Sequence, residues 1–73
     1  MRKPAYEVLK EIRKEKGIEI EEVAYAIQIP VKELVSIESG SRLILTSQLK
    51  ALLDYYGVRA SDFIKRQEIE NGE

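Results

Sequence analysis

The 73 residues suffice for one small domain whose core is marginal by itself, so tight helix packing or dimerisation is expected to help hold it together. Twelve basic against thirteen acidic residues leave a formal net charge of −1, which argues against a strongly basic nucleic-acid binder but leaves room for DNA binding by locally placed charge. With no Cys and no His the chain has no disulfide, zinc-thiolate site or thiol nucleophile, and no residue pattern points to catalysis, a metal or a cofactor.

No apolar run approaches the ~20 residues needed to cross a membrane. The first eleven residues, MRKPAYEVLKE, lack the apolar stretch of a secretory signal, so a cytoplasmic protein is expected. Pro4 suits the first turn of a helix, where its missing N–H costs nothing. Ala5, Val8, Leu9 and Ile12 follow as one apolar stripe. Lys14 and Lys16 favour the negative helix C-terminus and Gly17 supplies a left-handed stop, so a first helix is predicted over 4–16.

Val23, Ala24 and Ile27 recur at helical spacing, with Glu21 and Glu22 in the first turn where the helix dipole favours carboxylates. They predict a second helix over 20–27. Gln28-Ile29-Pro30 interrupts the pattern, Leu34 and Ile37 resume it, and Gly40 ends it, which gives a third helix over 31–39. Two short helices joined by a tight turn describe a helix-turn-helix, which commonly presents its second helix to the DNA major groove. The segment 41–45 is a loop. Thr46 or Ser47 is expected to cap a fourth helix over 47–56 that buries Leu49, Leu52, Leu53 and Tyr56. After Gly57, Ser61 is expected to cap a fifth over 62–67, anchored by Phe63 and Ile64. Residues 1–67 would form the domain, and 68–73 a polar tail that frays. Every strong periodicity is helical. The expected fold class is all-α, a compact five-helix bundle around Val8, Leu9, Ile12, Val23, Ala24, Ile27, Leu34, Ile37, Leu49, Leu52, Leu53 and Phe63. On the helix surfaces Glu7–Lys10 and Glu11–Lys14 are spaced as i,i+3 pairs.

The run VAYAIQIPVKELVSIESG, from Val23 to Gly40, resembles the helix-turn-helix of the phage-repressor/Cro family, also called the xenobiotic-response-element type. The carrying elements are the Val23-Ala24 pair, the Ile37-Glu38-x-Gly40 run and Arg13 one helix earlier. The likeness extends outward to Gly17-Ile18 and to Leu49–Gly57-Val58, and so spans roughly 8 to 64, most of the chain. It implies a lambda-repressor-like DNA-binding fold.

The resemblance also implies roles for particular residues. Arg13 and Glu38 would form a partly buried ion pair joining the first helix to the end of the third, a structural bridge that aims the recognition helix. Base-edge contacts would come from Val31, Lys32, Glu33 and Ser36. Lys32 can reach guanine O6/N7 or a phosphate, Glu33 can accept from cytosine N4, Val31 can touch a thymine methyl, and Ser36 can meet a phosphate or base. The bland alternative for Lys32 and Glu33 is a solvated face. Arg42 would lie against the DNA backbone, and Arg2 and Lys3 form a short basic arm. Gln28 stands where the family usually carries a small residue, often Gly, at a cost of about 1 kcal/mol if the turn is left-handed.

Two stretches depart from the family pattern. Where members usually place a polar residue near a phosphate, this chain has Ile20 flanked by Glu19, Glu21 and Glu22, and carboxylates there repel DNA. Leu43, Ile44 and Leu45 occupy a loop that is usually polar or basic. Leu45 can enter the core, but three consecutive apolar loop residues cannot all do so easily, and an exposed apolar patch marks a dimer or partner interface. Two functions follow. The first is a small transcriptional regulator reading a palindromic operator in double-stranded DNA through the third helix, as a homodimer. The second is a helix-turn-helix module that binds another protein, with weak or no DNA binding; the acidic second helix and Leu43–Leu45 favour it.

Overall fold

The computed structural model describes residues 2–69, which form five helices and, among them, no strand: α1 (Ala5–Glu15), α2 (Ile20–Ile27), α3 (Val31–Ser39), α4 (Thr46–Tyr56) and α5 (Ala60–Ile69). Pro4 is the N-cap of α1 rather than its first residue. Its fixed φ of −66° places its carbonyl to accept from the N–H groups of Glu7 and Val8. The α2–α3 turn is tight because Gln28 adopts φ 62°, ψ 48°, the left-handed conformation, and the Ile29 N–H returns to the Ala24 carbonyl at 3.0 Å. Pro30 then enters α3 in extended conformation, and Gly40 ends it at φ 83°.

Two caps differ from expectation. Helix α4 starts at Thr46, and its N-cap is Leu45, which offers no side-chain acceptor; neither Thr46 nor Ser47 caps it. Gln48 supplies a substitute by accepting from the Leu45 N–H at 3.0 Å. Helix α5 starts at Ala60, two residues before the expected Asp62, because the Phe63 N–H closes on the Arg59 carbonyl at 2.9 Å; Ser61 lies inside the helix rather than at its cap. The helix also runs on through Ile69, beyond the expected end at Gln67, and the remainder of the anticipated tail, 70–73, lies outside the described residues.

The core is built from one face of each helix: Val8, Leu9 and Ile12 from α1, Val23 and Ala24 from α2, Leu34 and Ile37 from α3, Leu52, Leu53 and Tyr56 from α4, and Phe63 from α5. Ile27 and Leu49, expected fully inside, are partly buried against it. Ile64, expected as a second anchor of α5, is 45 % exposed, because helical spacing turns it away from the face that Phe63 buries. Helix α3 packs against both α1 and α2, α2 also packs against α4, and α5 packs against α1, so the helix-turn-helix pair is braced by α1 behind α3 and by α4 behind α2.

Gly40 serves a second purpose besides the left-handed stop. The ring of Tyr6 lies so close over it that a Cβ there would come within 2.6 Å of the ring. The close approach seats the start of α1 on the end of α3, which the Arg13–Glu38 pair also joins to α1.

Candidate nucleic-acid interface

The orientation of α3 is set by a buried ionic clamp. Arg13 Nε donates to Glu38 Oε2 at 2.8 Å and Arg13 Nη2 donates to Oε1 at 3.0 Å, a bidentate pair with both side chains largely shielded. Arg13 Nη1 also donates to the Ile18 carbonyl at 2.9 Å, so one guanidinium ties α1, the α1–α2 connection and the end of α3 together. The hydrogen bond to Glu38 holds the Arg13 pKa above its ordinary value.

With Leu34, Ile37 and Glu38 turned inward, the opposite face of α3 is open. Lys32 is exposed, and its side chain makes no hydrogen bond or ion pair among the described residues. Val31 is 37 % exposed, and Ser36 is half-buried. The Ser36 carbonyl accepts from Ser39 Oγ, Ser41 Oγ and the backbone N–H groups of Ser41 and Arg42, which closes the end of the helix. Val35, not singled out from the sequence, is 48 % exposed on the same face. Its signal was available: it lies one position beyond Leu34 and three beyond Lys32, which puts it on the outward side of the helix.

The sequence suggests separate tasks for Glu33 and Arg42, yet the fold brings them together. Arg42 Nε stands 3.6 Å from Glu33 Oε2, and Gln48 Nε2 donates to the same oxygen at 2.7 Å. Glu33 is therefore held by two neighbours and is no free solvated charge. The Arg42 bridge is long, and Arg42 is 58 % exposed, so the pair contributes ~0–1 kcal/mol and yields readily to a stronger anion. Gln48 carried no motif, because its role depends on a contact across fifteen positions of sequence.

The basic arm does not extend freely. The Lys3 N–H donates to the Gln67 carbonyl at 2.9 Å, Gln67 Nε2 donates back to the Lys3 carbonyl at 3.0 Å, and Lys3 Nζ pairs with Glu11 at 2.7 Å. Arg2 and Lys3 are thus laid along α5, away from the role of a reaching arm. Glu11, expected to pair with Lys14, is instead engaged by Lys3, with Arg66 at 3.9 Å. Glu19, Glu21 and Glu22 are exposed at the start of α2, and Ile20 between them is half-buried against the core.

The apolar loop divides by residue. Leu43 is 93 % exposed and Leu45 61 %, whereas Ile44 packs on the core. The expectation that Leu45 would be the one to fold inward is corrected: Leu45 precedes α4 in extended conformation, and the alternation of extended chain turns Ile44 in and its neighbours out. Leu45 directly precedes Thr46, which lines an open groove of about 770 Å³ whose walls include Leu49, Leu53 and Val58.

The helix-turn-helix family model matches residues 9–63, from the middle of α1 to the first turns of α5. The chain belongs to the Cro/C1-type helix-turn-helix family. This helix-turn-helix protein is a DNA-binding transcriptional regulator. Its fold is similar to the crystal structure of the wild-type restriction-modification controller protein C.Esp1396I, at 26 % identity and a TM-score of 0.84 over 94 % of this chain and 91 % of that one. A tyrosine-to-alanine mutant of the same controller protein matches at 27 % identity and a TM-score of 0.83, covering 94 % of this chain and 92 % of that one. Among curated proteins none matches significantly.

Proposed function

We propose that this regulator reads a short palindromic operator through α3, as a homodimer, with residues 1–67 as the DNA-binding unit. The observation that supports this most is the division of α3: its apolar residues and Glu38 are buried against α1 and α2, while Lys32 is exposed and uncommitted among the described residues. Lys32 would meet guanine O6/N7, Val31 a thymine methyl, Ser36 a phosphate or base, and Arg42 the backbone. The likeness to a restriction-modification controller extends the proposal to control of such a system's expression.

Titration of random and genomic duplexes at several salt concentrations tests this reading. Log affinity should fall linearly with log salt. Lys32→Ala should change sequence preference, and Arg42→Ala should flatten the salt slope by about one unit for each phosphate left unneutralised. The protein-interaction reading is favoured by the exposed Glu19, Glu21 and Glu22 and by Leu43. It takes over if the wild type binds no duplex even at low ionic strength.

A further inference from the structure

Gln48 lies outside α3, yet its side chain joins the start of α4 to the recognition face. Its Oε1 accepts from the Leu45 N–H and its Nε2 donates to Glu33 Oε2. A backbone N–H only donates, so the amide has one orientation: oxygen toward Leu45, nitrogen toward Glu33. Arg42 approaches the same Oε2. Both neighbours thus converge on one carboxylate oxygen. Glu33 Oε1 makes no hydrogen bond among the described residues, and the side chain keeps 20 % exposure.

We infer that Gln48 is a specificity-determining positioning residue: by holding Glu33 Oε2 it leaves Oε1 as a fixed acceptor on the DNA face, and α3 thereby selects cytosine at one operator position. The inference rests on the proposed reading of DNA by α3 and deepens it. A carboxylate accepts and cannot donate. Guanine O6/N7 and thymine O4 are acceptors and are disfavoured beside it. Cytosine offers only the N4 amino donor in the major groove, whereas adenine sets its N6 donor beside the N7 acceptor. An unanchored glutamate would have to be ordered on binding; the Gln48 bond orders it beforehand. Arg42 offsets the repulsion between this carboxylate and nearby phosphates.

The polarity makes a sharp test. In Glu33→Gln, Gln48 Nε2 still requires an acceptor, so the new amide turns its oxygen to Gln48 and its NH₂ to the DNA. A donor then stands where an acceptor stood. Selection from a pool of randomised duplexes, followed by anisotropy titration of single-base replacements, should show that one position switching from cytosine to guanine or thymine, by about ten-fold in relative affinity. Gln48→Leu should flatten preference at that position and leave the Lys32-dependent position intact. Gln48→Lys gives Glu33 a donor again without the Leu45 bond, and should retain the cytosine preference, which separates aiming from capping. Thermal melts of each variant establish that it is folded. An unchanged base profile in Gln48→Leu overturns the inference. So does a Glu33→Gln variant that binds all duplexes more tightly, with a steeper salt slope and no switch in base preference, because Glu33 would then merely neutralise Arg42. Absence of any wild-type duplex binding removes the underlying reading itself, a distinct result from specific binding without the switch.

Discussion

Arg13 fixes the end of α3 from behind, shielded from solvent. It satisfies both oxygens of a buried carboxylate and one backbone carbonyl. Arg13→Ala strands Glu38, which is 5 % exposed, and should cost about 3 kcal/mol or more in urea unfolding. A double-mutant cycle with Glu38→Gln should show strong coupling; additive losses would mean the two side chains act independently. Tyr56 sits in the same region with a different problem. Its buried hydroxyl has no hydrogen-bond partner among the described residues. Burial pushes its pKa from 10.0 up to about 12, the Glu38 carboxylate adds to the rise, and Arg13 opposes it. Between those values the folded protein keeps a proton that the unfolded chain has lost, so the Tyr56 contribution is intact below pH 10 and is lost as pH rises through about 12. Melting temperature should therefore decline across that window less steeply in Tyr56→Phe than in wild type. Below pH 10 the variant should be as stable as wild type or slightly more so, since an unpaired buried hydroxyl is removed.

Helix ends carry the next level of organisation, and three left-handed positions there, Gln28, Gly40 and Gly57, have different consequences. Gln28 adopts φ 62° without the freedom of glycine, so Gln28→Gly should raise stability by up to about 1 kcal/mol, partly offset by the greater entropy of the unfolded chain. Gly40 cannot accept any side chain without moving Tyr6, whereas a Cβ at Gly57 meets nothing within 4 Å. Both are left-handed, so Gly40→Ala and Gly57→Ala share the backbone cost of about 1 kcal/mol. The difference between them in thermal melts reports the close approach of Tyr6. Equal destabilisation would show that Tyr6 swings aside freely. Displacing Tyr6 would also loosen α3 from the start of α1, so Gly40→Ala should weaken DNA binding more than Gly57→Ala does.

If α3 reads a palindrome, as proposed, two such helices must stand roughly 34 Å apart, so assembly is a question for the whole molecule. Of the apolar loop expected from the sequence to form a dimer or partner interface, Leu43, Ile44 and Leu45, only Leu43 and Leu45 are exposed and available for such a contact. Ile44→Asp is a poor probe of it, since Ile44 packs on the core and a carboxylate there would also damage the fold. Leu43→Asp is the cleaner variant: it places charge at a site 93 % exposed in the single chain. Light scattering over a range of concentrations should show a wild-type dimer and a Leu43→Asp monomer with nearly the same melting temperature of the dissociated chain. A wild-type monomer at every concentration, unpaired even by duplex, would assign the patch to a different protein.

The five helices and most of the core were legible because amphipathic spacing and the stops at Gly17, Gly40 and Gly57 are local properties that each segment carries within itself. Arg13 and Glu38, twenty-five positions apart, were paired only through family likeness, since no local pattern connects them. The starts of α4 and α5 differ from the sequence expectation for a related reason. Ser and Thr are good caps in isolation, but here the Gln48 side chain, at the third position of α4, and the Arg59 carbonyl close those turns instead. Which of Leu43, Ile44 and Leu45 turns inward depended on the direction in which the loop leaves α3. The fastening of Arg2 and Lys3 to α5, and the convergence of Gln48, Arg42 and Glu33, depended on how helices distant in sequence pack side by side. Periodicity tells which face of a helix is buried; packing alone tells what stands beside the face that is not.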